Sequence, residues 1–351
     1  MIKKLKDFKL EGKRVLVRCD FNVPIDAEGN IRDDFRIIQT LPTIKYLLKE
    51  KAKIILMSHL GDPDGPNELL KLDKVQGILA KNLDVPVTKA NDCTSYQVEQ
   101  YAFGLNPGDV FLLENLRFHP EEKDNDLAFA KKLASLAQIY INDAFSVCHR
   151  AHASVVSVPL LVKEKGVGLL LEKEIRTLEK ASQRPKRPLL AVVGGAKVKT
   201  KATLIQKFLE TADSVIVSGL IKREMDEMKM PYSDKLLSPV DNIEVDGKIP
   251  DIGPKSIELF IRKIKKAGTI IWNGPFGLIE DPQYEKGTAE IAKAIAKSRA
   301  FSVIGGGETL EFVSRLGLTR KFNHVSTGGG AMLSFLSGEK LIGLQPLICQ
   351  R

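Results

Sequence analysis

Short apolar runs rich in β-branched residues alternate with longer stretches of helical spacing along the whole chain, the pattern of βαβ units built on a parallel sheet. In the first half the runs are Arg14 to Phe21, Lys53 to Leu60, Val110 to Leu116 and Gln138 to Phe145. Between them, Leu41, Ile44, Leu47 and Leu48 predict a helix over Leu41 to Glu50, and Leu127, Ala130, Leu133 and Ala134 predict one over Asp126 to Leu136. The second half repeats the scheme with runs at Pro188 to Gly195, Ser214 to Gly219, Thr269 to Gly274 and Phe301 to Gly307. Its helices are expected over Lys199 to Glu210 and Ile257 to Lys266.

The stretch Leu169 to Ala181 places Leu170, Leu171, Ile175 and Leu178 at helical spacing and is followed by the basic SQRPKRP segment. It reads as a connecting helix. At 351 residues the chain is long enough for two domains. The expected division is residues 1–165, a connecting helix and hinge at 166–187, and residues 188–351, whose last residues return to the first domain.

Composition narrows the function classes. With 43% hydrophobic and 28% charged residues the chain is in the ordinary globular range. No apolar stretch approaches a bilayer span, and the basic start lacks an apolar signal core, so a cytoplasmic protein without membrane partners is expected. Cys19, Cys93, Cys148 and Cys349 form no close pair, which argues for buried reduced thiols. The formal charge is +9, and the excess lies entirely beyond residue 158, where 31 Lys and Arg face 22 Asp and Glu. That half should prefer an anion. Without a zinc-finger spacing, an RNP-type aromatic motif or a long basic tract, nucleic acid is not the expected partner.

Ligands of open parallel sheets bind beyond the carboxyl ends of the strands. In the first half those ends carry Asp20 and Asn22; Ser58 and His59; Glu114, Asn115 and Arg117; and Asn142, Asp143, His149, Arg150 and His152. Arg36, just before the first expected helix, can reach the same opening. Taken singly, such residues are often caps and turn formers. At all four strand ends, with arginines whose planar fork suits carboxylate and phosphate, they predict a small-anion site. Glu114 and Asp143 are the members expected to brace loops, and His119 and His324 are expected to be structural.

The second half ends its strands in glycine: Gly194-Gly195-Ala196-Lys197, Ser218-Gly219, Asn273-Gly274-Pro275, Gly305-Gly306-Gly307-Glu308-Thr309 and Ser326-Thr327-Gly328-Gly329-Gly330. Glycine lets backbone N–H groups approach phosphate, and a following helix N-terminus adds a favourable dipole. Lys197 and Lys201, four apart where a helix begins, can share a face. There is no GxxxxGK[ST] loop, GxGxxG fingerprint, or HRD and DFG pair. What remains is phosphoryl transfer between a nucleotide and a small anion.

These motifs resemble the phosphoglycerate kinase family from about Lys13 to Leu347, in order: VRCDFNVP from Val17, DDFRI from Asp33, LPTIKYLL from Leu41, SHLG from Ser58, LLENLRFHPEE from Leu112, NDAFSVCHRAHAS from Asn142, GGAKV from Gly194, DIGPKSIELF from Asp251, WNGPFGLIE from Trp272, KGT from Lys286, GGGET from Gly305 and HVSTGGGA from His324. The resemblance implies two doubly wound, Rossmann-like α/β domains joined by a linker helix with a cleft between them. It implies magnesium-dependent exchange of a phosphoryl group between 1,3-bisphosphoglycerate and ADP, giving 3-phosphoglycerate and ATP, by a cytoplasmic monomer. It matches Asp20, Asn22, Arg36, His59, Arg117 and Arg150 to the acid, and Arg36, Lys197 and Lys201 to catalysis. Gly194, Gly195, Lys197, Lys201, Gly219, Asn273, Pro275, Glu280, Gly305, Gly306, Gly307, Glu308 and Thr309 match positions around the nucleotide, and Glu308 the magnesium position. Three places depart from the family: Asp62 stands where arginine is expected, Thr200 where aspartate is expected between the lysines, and the stretch from Gly219 to Trp272 is shorter. The alternative reading is an inactive protein of this fold that binds nucleotide without turnover.

Overall fold

A computed structural model describes residues 2–195, 201–230 and 233–348. Lys197 and Thr200 of the sequence reading, with Cys349, lie outside the described residues. The chain divides into two compact units, one of residues 1–174 with 341–351 and the other of residues 175–340. The division falls within the helix Leu169–Gln183. The last described residues belong to the first unit, where Ile348 bridges Ile2 and Gly343 N–H donates to the Cys148 carbonyl.

The first unit holds a parallel sheet of β1 (Arg14–Arg18), β2 (Lys53–Met57), β3 (Val87–Lys89), β4 (Val110–Leu112), β5 (Ile139–Asn142) and β6 (Glu164–Val167), in the order β3-β4-β2-β1-β5-β6. The second unit holds β7 (Leu189–Val193), β8 (Ser214–Val217), β9 (Leu236–Leu237), β12 (Thr269–Asn273), β13 (Phe301–Gly305) and β14 (His324–Val325), in the order β14-β13-β12-β7-β8-β9, with a separate antiparallel hairpin of β10 (Asn242–Val245) and β11 (Lys248–Ile252). Both large sheets are parallel throughout. Central strands such as β7 and β12 are buried at every position, which is why they read as continuous apolar runs. The fold class is therefore the α/β one expected. The edge strands escaped the periodicity because they are two to four residues long, and β6 (Glu-Lys-Gly-Val) is half polar.

Two helix boundaries are corrected. The first helix runs Phe35–Lys49, not from Leu41, so Arg36 lies in its opening turn. Pro42 lies inside this helix, yet Ile37 and Thr40 before it are buried with Leu41 and Ile44, and Asp33 accepts the Phe35 N–H at 2.7 Å. Packing overrides the local cost of proline. In the second unit the helix Ala202–Thr211 begins after Lys201, which is its N-cap residue.

Loop braces hold the strand ends in place. Glu114 accepts the Leu72 and Asn115 N–H groups at 2.9 and 2.8 Å and pairs with the buried Lys89 at 2.6 Å. Asp143 accepts the Leu170 and Leu171 N–H groups at the start of the helix Leu169–Gln183, and burial pushes its carboxyl up to about 7. Glu114→Ala would leave the Lys89 ammonium the Ala90 carbonyl at 3.0 Å and, as its one remaining carboxylate among the described residues, the exposed Asp73 at 3.5 Å. It is expected to cost about 3 kcal/mol in chemical denaturation; a change under about 0.5 kcal/mol would show that Glu114 braces nothing.

Candidate functional site

In the first unit the expected acid-binding residues converge at the ends of β1, β2 and β4. Asp20, fully buried just beyond β1, accepts from Arg36 Nη1 at 3.0 and 3.3 Å and from the Asn22 N–H at 3.1 Å. Asn22 Oδ1 accepts the Gly61 N–H at 2.8 Å, tying the end of β1 to the loop after β2. Arg117 follows β4 and donates from Nη1 to the Gly61 carbonyl at 2.6 Å. Arg150 is exposed, and its charge acts on Arg117, Asp62 and His152. Thus Asp20, Asn22, Arg36, His59 and Arg117 stand on one framework, with the charge of Arg150 acting on it.

His59 shows how a buried framework sets chemistry. Arg18 Nη2 lies 3.1 Å from His59 Nδ1, and because guanidinium can only donate, Nδ1 must accept. The neutral ring then carries its proton on Nε2. Burial, with the charges of Arg18, Arg117 and Arg36, holds the imidazole well below its usual value, so it stays neutral and offers a fixed donor. Arg18 is positioned in turn by Ser154 Oγ at 2.8 Å, and Ser154 donates to Glu122 from its hydroxyl at 2.5 Å and its N–H at 2.9 Å. Arg18, Ser154 and Glu122 were missed in the sequence, though an arginine inside the apolar run RVLVRCDF was a usable signal. His119 is structural, with Nε2 2.9 Å from Asp92 and its ring tilted against Phe129.

The second unit gathers its glycines as expected at the ends of β7, β12 and β13. Gly194 donates to the Asn273 carbonyl and Gly195 to that of Pro275, at 2.9 and 2.7 Å. Asn273 Nδ2 donates to the Gly305 carbonyl at 3.0 Å, and Thr309 Oγ1 accepts the Gly274 N–H at 2.9 Å. Gly306, at φ +103°, caps the helix Gly307–Arg315, whose first turn contains Glu308. Gly306 needs its freedom twice, since a Cβ there would meet Asn273 Nδ2 at 2.9 Å. The Lys201 ammonium is buried against the Gly194 carbonyl.

Beside this framework lies a cavity of about 430 Å³. Of the predicted nucleotide residues, Gly195, Pro275, Glu280 and Glu308 line it. Gly194, Lys201, Gly219, Asn273, Gly305, Gly306, Gly307 and Thr309 are not in its lining; Gly219 starts the helix Gly219–Glu227, and a Cβ there would meet Asn242 and Ile249 of the hairpin at 2.6 and 2.8 Å. The hairpin supplies a wall the sequence reading did not foresee, through Lys248, Ile249 and Pro250, with Arg223 beside it. The signal was Asp246-Gly247, whose positive φ values of 49° and 70° make the two-residue turn.

Lys201 carries a testable electrostatic consequence. Burial pulls its ammonium down to about 8, against the raising influence of Glu308 and Glu224. It is charged below that pH and increasingly neutral above it. If Lys201 faces phosphate oxygens, ADP affinity measured calorimetrically should fall several-fold between pH 7 and 9.5, and Lys201→Met should flatten the profile. A flat profile in the unaltered protein would separate Lys201 from the phosphates.

Comparison with known proteins gives the family and the fold. Residues 5–230 and 223–339 match the sequence family described as phosphoglycerate kinase. Curated relatives of that name include proteins from Dictyoglomus turgidum, 43% identical with 98% of this chain and 97% of the relative covered, and from Aquifex aeolicus, 40% identical with 97% and 96% covered. The solved phosphoglycerate kinase from Coxiella burnetii aligns with a TM-score of 0.83 at 33% identity over 99% of both chains. That from Pyrococcus horikoshii aligns with a TM-score of 0.87 at 31% identity, over 99% of this chain and 98% of the other. The chain belongs to the phosphoglycerate kinase family.

Proposed function

We propose that the chain catalyses the reversible, magnesium-dependent transfer of a phosphoryl group between ATP and the carboxylate of 3-phosphoglycerate, with the acid held by the first unit and the nucleotide by the second. As a member of its family the chain is a phosphotransferase that uses a nucleotide. In the direction of acid phosphorylation, a carboxylate oxygen attacks the terminal phosphorus of ATP, the bond to the bridging oxygen breaks, and ADP and an acyl phosphate form. Such transfer needs little covalent work from the protein. It needs charge placed where the transferring group passes.

The observation that carries the reading is that one unit ends its strands in an arginine framework and the other unit ends its strands in a glycine framework. Asp20 anchors one nitrogen of Arg36, and the rest of that guanidinium has no partner among the described residues, so it remains for the transferring group. His59, Asn22, Arg117 and Arg150 hold and orient the acid. Gly306 and Gly307 open the helix Gly307–Arg315 toward the nucleotide phosphates, Gly194, Gly195 and Gly305 shape the strand ends beside them through Asn273 and Pro275, and Lys201 adds positive charge. Lys197 is assigned to the migrating phosphoryl group by family resemblance.

Magnesium fits this site as a companion of the nucleotide. Among the described residues no cluster of three His, Cys, Asp or Glu forms a ready-made metal cage. Glu308 lines the cavity as an exposed carboxylate in the opening turn of its helix. One carboxylate with phosphate oxygens and waters is a typical magnesium environment. The bound ion would neutralise phosphate charge, and Glu308 would fix where that ion sits. No helix among the described residues is long and apolar enough to cross a membrane; a cytoplasmic monomer acting on small molecules alone is part of the same proposal. A coupled assay with ATP and 3-phosphoglycerate tests it: turnover that requires magnesium is expected. Nucleotide binding by well-folded protein without turnover would overturn it.

A further inference from the structure

The carboxylate of Asp62 occupies cations that the proposed acid site would otherwise offer to its ligand. Asp62 is largely exposed, in the loop after β2, yet its Oδ1 lies 2.6 Å from Lys123 Nζ and 3.5 Å from Arg117 Nη1. The Arg117 side chain is only 4% exposed, and its buried Nε has no hydrogen-bond partner. Its Nη1 meets both the Gly61 carbonyl and the Asp62 carboxylate, so an anion arriving at that end of the guanidinium meets Asp62 there. Asp62 is a standing anion: the hydrogen bond from Lys123 holds its carboxyl below the usual range, helped by the charges of Arg117 and Arg150.

We infer that Asp62 is a built-in competitor for the anionic end of the acid substrate at Arg117 and Lys123, and that it thereby weakens the affinity of this enzyme for that acid. The inference rests on the acid site proposed above. A carboxylate and a phosphate oxygen demand the same donors, so an incoming anion must displace Asp62 or share its cations against repulsion. Asp62 can be displaced cheaply, because its side chain is 66% exposed and can turn into solvent. The geometry therefore makes Asp62 a determinant of affinity for one substrate, acting at one end of it.

The test is calorimetric titration of 3-phosphoglycerate into the unaltered protein, Asp62→Asn and Asp62→Arg, with KM values measured in parallel. Asp62→Asn should lower Kd about fivefold, on the scale of one exposed ion pair. Asp62→Arg should lower it further by adding a cation. The KM for the acid should fall in step while the KM for nucleotide does not move, and raising salt should narrow the difference between the proteins. An equal or weaker affinity in Asp62→Asn would overturn the inference, as would a failure of all three proteins to bind the acid. Binding without turnover would instead sink the proposed activity and leave the affinity comparison readable.

Discussion

Arg36→Ala is expected to lower kcat by about a thousandfold or more, the scale of an arginine that stabilises a transferring phosphoryl group. The reason lies in how the fork is held. Asp20, fully buried at the end of β1, takes Nη1, and the opening turn of the helix Phe35–Lys49 supplies the backbone from which the side chain reaches it. One nitrogen is fixed by Asp20, and the planar group holds the remaining donors in a set relation to it. Because alanine would also strand the buried Asp20 carboxylate, Arg36→Lys is the companion variant. It keeps a charge near Asp20 but loses the planar fork, and should still cost about a hundredfold in kcat. Steady-state kinetics on protein with an unchanged melting temperature reads the effect, and an unaltered rate in both variants would remove Arg36 from the mechanism.

Gly194→Ala is the second change with a large expected effect, and here the cause is steric. A Cβ at Gly194 would stand 2.1 Å from the Pro275 carbonyl oxygen and 2.6 Å from that of Gly274. Both obstacles are backbone, so the ends of β7 and β12 would have to part, breaking the bond from Gly195 to Pro275 and moving the carbonyl that receives Lys201. A loss of about 3 kcal/mol in stability is expected, with nucleotide affinity weakened at least tenfold, roughly the scale of overpacking at a rigid site. Gly307→Ala makes the contrast, since a Cβ there meets nothing within 4 Å and should leave the melting temperature unchanged. Thermal unfolding and ADP titration read both variants. Unchanged stability and ADP affinity in Gly194→Ala would mean that the close approach at β7 is not needed.

The central strands were legible because parallel strands buried on both faces must be apolar throughout, as β7 and β12 are. Their ends were legible because polar and glycine residues there interrupt that pattern. Glu114 and Asp143 were read as braces, and their backbone bonds bear this out. What stayed hidden depends on contacts distant in sequence. The first turn of the helix Phe35–Lys49 lies before the apolar stripe that marked it, Gly219 packs against Asn242 and Ile249, and the second wall of the cavity comes from a hairpin whose strands alternate too weakly to stand out. Arg18 is the sharpest case. Its position inside a strand concealed a role that only the Ser154 and Glu122 partners, more than a hundred residues away, make visible.

The central claim is that the chain forms an acyl phosphate from 3-phosphoglycerate and ATP. Hydroxylamine captures an acyl phosphate as a hydroxamate and does not react in this way with a free carboxylate. Incubating the protein with ATP, magnesium, 3-phosphoglycerate and hydroxylamine should therefore produce the hydroxamate and ADP in equal amounts, and none without 3-phosphoglycerate. ADP released with inorganic phosphate and no hydroxamate, or no reaction at all, would contradict the account.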